Sequence, residues 1–185
     1  MSMLNKFKLI SFFILLVILI CSCDSNEPII EDNSDIISLN SKSKGFSFAL
    51  GAVIPYSIPG SDSSKIITDI QIFAIVSGTT IIGVRISSPD SFVTSFHLVR
   101  EFTKSDSALN FFNFLSEVPD SNYSLSADPV KVNQTWAIKT SENKFAKILI
   151  LHTDAYEYSP GPGWRGYYSE VTFKWKYQSN GSRFF

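Results

Sequence analysis

The chain has 185 residues, 44% of them hydrophobic and 14% aromatic with sixteen Phe, enough for one domain with a well-filled core. Sixteen Lys and Arg against seventeen Asp and Glu leave a formal charge of -1. That excludes the basic footprint of a nucleic-acid binder and also a polyacidic tail, so nucleic acid is not an expected partner.

Both cysteines fall in the first 23 residues. Lys6 and Lys8 precede a twelve-residue apolar run, Leu9 to Ile20, which is too short to span a bilayer needing roughly 20 helical residues but suits the core of a signal peptide. The run ends in Ile20-Cys21-Ser22-Cys23, which resembles a bacterial lipobox: a branched apolar residue three before a Cys, a small residue just before it. The resemblance implies cleavage before Cys23, diacylglycerol on its thiol and acylation of its new amino group. An ordinary cleavable signal or an uncleaved anchor is the alternative. With the leader gone, fourteen bases face seventeen acids, and no thiol is left for a disulfide, a zinc site or a nucleophile.

Asp24 to Lys44 carries Asp24, Glu27, Glu31, Asp32 and Asp35 among Ser, Asn and a few Ile without a sustained period, and reads as a disordered tether. Fully stretched, it reaches about 65 Å. Acidic residues this soon after a lipidated Cys resemble the surface-export signals of some Gram-negative lipoproteins; a merely solvated spacer is the other reading. Ordered structure is expected from Gly45, with strands over Phe46–Val53, Ile66–Val76, Thr80–Ile86 and Phe92–Phe102, a loop over Pro55–Ser64, and a hairpin at Ser77-Gly78. Ser105-Asp106-Ser107 offers an N-cap for a helix over Ala108 to Glu117 that aligns Leu109, Phe112 and Leu115, with Phe111 and Phe114 beside them. Pro119 ends it, and so apolar a helix must lie on a sheet. Asn122 to Asn133 has no clear period and is expected to wrap the domain.

The clearest signal comes last. Val171, Phe173, Trp175 and Tyr177 alternate with Thr172, Lys174, Lys176 and Gln178, a period of two that marks a strand with one buried face. Trp136–Thr140, a polar Ser141–Lys144 turn and Phe145–His152 complete an antiparallel meander with it, across a long loop.

Ile138-Lys-Thr140, Lys144-Phe-Ala-Lys147-Ile148 and Val171-Thr-Phe-Lys-Trp-Lys-Tyr-Gln178 together resemble the C-terminal signature of the HmuY-like lipoproteins, over roughly the last quarter of the chain. The likeness implies an all-β fold, a lipid anchor on the outer membrane of a Gram-negative bacterium and, for founding members, capture of haem for a neighbouring outer-membrane receptor. Asn143 stands where that family usually has Gly, which a left-handed turn tolerates. Haem ligands are not part of the matching motif, so none carries over by position.

Haem iron takes axial donors, and bis-His ligation is the natural choice. The chain has two histidines. His97 on its expected strand shares a face with Val93, Ser95 and Val99, and His152 shares one with Ala146, Ile148 and Ile150; a lone His on a strand is usually a structural residue, which is the alternative for each. The loop after His152 holds Tyr156, Tyr158, Trp164, Tyr167 and Tyr168 around Glu157 and Arg165. These rings either present flat faces to a sugar or a protein partner or fold back as a lid over the core. No zinc helix, nucleophile elbow, phosphate loop or calcium loop is present. His152 with Asp154 can pair as base and orienter, but no nucleophile is named by the sequence. A non-enzymatic function is expected.

The expected architecture is all-β, an antiparallel two-sheet sandwich-like domain over 45–185 with one short packed helix at about 105–117. It follows a signal peptide over 1–22 and the lipidated Cys23 with its tether to 44. The expected function is a membrane-anchored surface binding protein, with haem as the ligand by resemblance and a glycan or a protein as the alternative.

Overall fold

The computed structural model describes residues 36–42, 44–55, 68–90, 93 and 95–185. The leader, Cys23 and most of the expected tether and Pro55–Ser64 loop lie outside the described residues. In chain order the elements are β1 (Ile36–Asn40), β2 (Lys44–Ser47), β3 (Ala52–Pro55), β4 (Ile70–Ser77), β5 (Thr80–Ser87), β6 (Phe96–Glu101), α1 (Ser105–Phe114), β7 (Ser126–Val130), β8 (Gln134–Lys139), β9 (Phe145–Gly161) and β10 (Trp164–Gln178).

The strands form two five-stranded sheets, β1-β10-β9-β8-β6 and β3-β2-β4-β5-β7, antiparallel at every pairing. This is an all-β two-sheet sandwich. The period of two on β10 dictates its place: Val171, Phe173 and Trp175 are buried against the other sheet, and Tyr177 packs at the edge of the same core. Phe46 on β2, Ile70 and Ile72 on β4, and Val84 and Ile86 on β5 face them. The rings interlock edge to face, Phe46 lying 5.4 Å from Phe173 and 5.3 Å from Trp175. Asn143 adopts φ 58° in the β8–β9 turn, where the Thr140 amide donates to the Lys144 carbonyl at 2.9 Å.

The β1-to-β6 sheet is buried on both faces around β9. Its outer side receives Ala108 and Phe112 of α1 on Leu149, while Val118 packs with Ala137 and Phe145. A strand covered on two sides needs no polar alternation, which explains the nearly continuous apolar run Phe145-Ala-Lys-Ile-Leu-Ile-Leu151. Lys147, the exception, is 1% exposed.

Several elements differ from their sequence signals. β1 lies inside the stretch read as a tether: Ile37 and Leu39 turn inward while Ser38 and Asn40 do not, and pairing with β10 offsets the ordering cost that the segment alone could not. Phe46–Val53 is two strands, because Gly51 at φ 60° reverses the chain after Phe48. β7 forms within 122–133, where the period is masked by short pairing with β5. The helix spans 105–114, starting where the expected element of about 105–117 does and ending three residues short of it: Lys104 is its N-cap without a side-chain bond, and Leu115 closes it. Its buried residues are therefore Ala108 and Phe112, one turn apart, whereas Leu109 and Phe114 are exposed.

Asp69 closes the β2–β3 turn by accepting the Phe48 amide at 2.7 Å. Burial pushes its carboxyl up to about 6 from 3.8, against the opposing pull of that amide. A carboxyl raised on folding stabilises the fold most below pH 3.8, and that contribution is lost as pH rises through about 6. Between pH 4 and 7.5 wild type should therefore lose up to about 3 kcal/mol relative to Asp69→Asn. Thermal melts of both proteins across that range check this; a constant difference between them rules it out.

Candidate functional site

β9 and β10 outrun their neighbours. Pairing of β9 with β8 stops at Leu149, and pairing of β10 with β1 stops at Glu170, extended by the Ser41 amide donating to Ser169 O at 2.9 Å and the Ser169 amide donating to Ser41 Oγ at 2.9 Å. Beyond those points the two strands continue alone as a twisted ribbon to the turn at Pro162-Gly163, where Gly163 takes φ 79°. The segment expected to be a long loop is this ribbon.

One irregularity sets which side chains it shows. Between Phe173↔Ile150 and Thr172↔His152 the register slips by one residue at Leu151. An extra residue in one strand inverts the facing of everything after it. His152 is thereby moved off the core face of Ala146, Ile148 and Ile150, contrary to the alternation expected from sequence, and stands exposed on the outer face. Asp154, Tyr156 and Tyr158 follow it there, opposite Glu170, Tyr168 and Gly166 respectively.

The rings on this face are organised. Tyr156 and Tyr168 lie 4.7 Å apart at 31°. The Tyr158 ring lies across Gly166, where a Cβ would come within 2.7 Å of it, so only glycine admits that pose. The Lys42 ammonium sits 5.5 Å from the Tyr168 ring and 5.8 Å from that of Tyr158. Tyr168 donates to Glu170 Oε2 at 2.7 Å and Ser38 donates to Oε1 at 2.8 Å. The bond to Glu170 pushes the Tyr168 phenol up to about 12 and, with Ser38, holds the Glu170 carboxyl below its usual range. Glu170 is therefore a fixed carboxylate at neutral pH. Near the tip Arg165 pairs with Glu157 at 3.3 Å, and the Ser159 hydroxyl lies 3.0 Å from Gly161 O and 3.1 Å from Trp164 O across the turn. Trp164 is 73% exposed, Tyr156 46% and Tyr158 37%. Tyr167 and Tyr168 are half-buried within the ribbon. Tyr156, Tyr158 and Trp164 are thus open to solvent and do not form a lid over the core.

The histidines are not brought together. His97 pairs with Ala137, which pairs with Lys147, so His97 and His152 stand about 10 Å apart across the sheet and about 15 Å along it. The Asn122 carbonyl lies 3.1 Å from His97 Nδ1, and the ring packs on Tyr123 at 5.7 Å. The ground between them is filled by α1 seated on Leu149 and Leu151. Two imidazoles this far apart, with α1 packed on the strand between them, do not fit the axial positions of one haem iron. Among the described residues no three His, Cys, Asp or Glu side chains converge as a metal-binding group.

Lys42, Ser38 and Glu170 belong to the face but not to the residues singled out from sequence, and Asp154, named there only as a partner for His152, stands opposite Glu170. The inward Ile37 and Leu39 were the available signal for β1; the rest depend on the ribbon register. Comparison with known proteins finds no matching family model, no matching curated sequence and no matching solved structure.

Proposed function

We propose that this chain is a lipid-anchored binding module of the outer membrane that presents the β9–β10 ribbon to a ligand outside the cell, and no catalytic step is proposed for it. The observation that carries this reading is the projecting ribbon with Trp164, Tyr156 and Tyr158 held open to solvent. Tyr and Trp offer large rigid contact areas at low entropic cost, and a folded protein gains nothing by exposing them on a projection. β1 supports the polarity. The preceding chain joins at Ile36, opposite Lys174, about 30 Å along β10 from Trp164. The ribbon tip is thus far from the point where an anchor through Cys23 attaches. Each buried acyl CH₂ contributes about 0.8 kcal/mol, so a multiply acylated Cys23 holds the protein stably. The HmuY-like likeness agrees with a lipid-anchored β protein, but the separation of His97 and His152 gives haem capture by that pair no support.

The test joins both halves. Mass spectrometry of the protein from its host should find an acylated Cys23 at the mature N-terminus. Immobilised envelope and spent-medium fractions should retain the full chain in detergent, and a Tyr158→Ala, Trp164→Ala double variant of unchanged melting temperature should be retained roughly tenfold less. Periodate and protease treatment of the fractions then give the ligand class. Equal retention of both proteins, or none of either, overturns the reading.

A further inference from the structure

Resting on that reading, we infer that the outer face of the ribbon binds a neutral glycan, one sugar ring lying against Tyr156 and Tyr168 with its hydroxyls turned to Asp154 and Glu170. The pattern of side chains decides between a sugar and a protein. Protein-binding patches concentrate rings at a dry centre and deplete charge there. Here the rungs alternate: Asp154 with Glu170, then Tyr156 with Tyr168, then Tyr158 over Gly166. A pyranose has the same duality, a C–H face for a ring and a rim of hydroxyl donors for acceptors.

The hydrogen bonding is uneven in a way that such a ligand completes. Each Glu170 oxygen already accepts one hydrogen bond, from Tyr168 and from Ser38, which fixes that carboxylate beside the ring stack and leaves each oxygen a further lone pair for a ligand hydroxyl. Asp154, directly across the rung, accepts no hydrogen bond among the described residues, and like charges facing across a rung are unfavourable. Ligand hydroxyls donating to Asp154 relieve that repulsion. Lys42, above the Tyr168 ring, supplies a donor for ring or glycosidic oxygens. The charge balance chooses among sugars. Arg165 is taken up by Glu157, leaving Lys42 against Asp154 and Glu170, so uronic, sialic and sulfated glycans meet net repulsion.

The experiment is calorimetric titration of the full chain in detergent with cellohexaose, maltohexaose, mannohexaose and xylohexaose, and with a heparin hexasaccharide as the polyanion. At least one neutral hexasaccharide should bind saturably, with affinity reduced roughly tenfold or more in Tyr156→Ala and in Asp154→Asn. Phe114→Ser, an exposed site on α1, should leave it unchanged. Asp154→Asn guards against misfolding, since that side chain accepts no hydrogen bond among the described residues. Failure of all four neutral sugars overturns the inference, as does undiminished binding in either ribbon variant or tighter binding of heparin. Retention on envelope fractions that protease abolishes and periodate spares would leave the binding-module reading standing while sinking this one.

Discussion

Lys147→Met is expected to destabilise the fold by about 3 kcal/mol, and Lys147→Ala by about 4 to 5. The ammonium is inside the protein, donating to the carbonyls of Phe112 at 2.9 Å and Leu115 at 2.6 Å, and lies 5.0 Å from the Phe112 ring and 4.9 Å from the Phe185 ring. Those carbonyls end α1, where the helix dipole is negative and no basic residue of the helix itself stands in the last turn. Burying an ammonium costs several kcal/mol, so a methionine of similar length recovers that term. It also strands buried carbonyls, at about 1 to 3 kcal/mol each, and gives up two charge-assisted bonds. The losses outweigh the recovery. Alanine adds a cavity beneath the helix. For a chain of this size the Met variant should melt roughly 10 °C lower, with α1 amides exchanging before those of β9. A Met variant as stable as wild type would mean that the carbonyls have other donors.

The same residue shows where sequence reading stops. Lys147 belongs to a motif whose lysines read as an outward row, and on a half-buried sheet that pattern holds, as Lys174 shows. What reverses it at Lys147 is α1, whose end carbonyls are brought from 32 and 35 residues away, and no local period reports a second covering layer. The sandwich itself was legible because Val171 to Tyr177 and the Ile- and Val-rich β4 and β5 carry their own alternation and turn signals. The helix was legible in kind and in its start but ends at Phe114, short of the Glu117 expected from Pro119, because Leu115 already takes an extended conformation. The rings of the ribbon could be named from composition alone. Their facing could not, because a one-residue slip at Leu151 leaves no mark that distinguishes it from a regular strand. That slip also invalidates the expected facing of His152, and with α1 in place the pairing of His152 with His97 loses its geometric basis.

Phe46→Ala should be the most damaging of the core truncations, costing about 4 kcal/mol. Phe46 is fully buried and stands edge to face against Phe48 at 5.1 Å, Phe173 at 5.4 Å and Trp175 at 5.3 Å, so it couples β2 of one sheet to β10 of the other. Each such aromatic geometry contributes about 0.5 to 1.5 kcal/mol beyond the area removed from water, and the surrounding rings are too rigid to collapse into the void. Phe46→Leu keeps most of the apolar volume and should cost about half as much. Phe73→Ala, on β4 but 47% exposed, is the control and should cost well under 1 kcal/mol. Urea denaturation of the four proteins orders them, and equal midpoints for Phe46→Ala and Phe73→Ala would show that the two sheets are not held by this cluster. The ribbon gives the series a second use. Its aromatic face is built from Tyr156, Tyr168, Tyr158 over Gly166, and Lys42, none of which touches the Phe46 ring in the contacts above. The folded fraction of Phe46→Leu should therefore bind ligand with wild-type affinity, since stability in this sandwich and display on its projection rest on separate residues of the same two long strands.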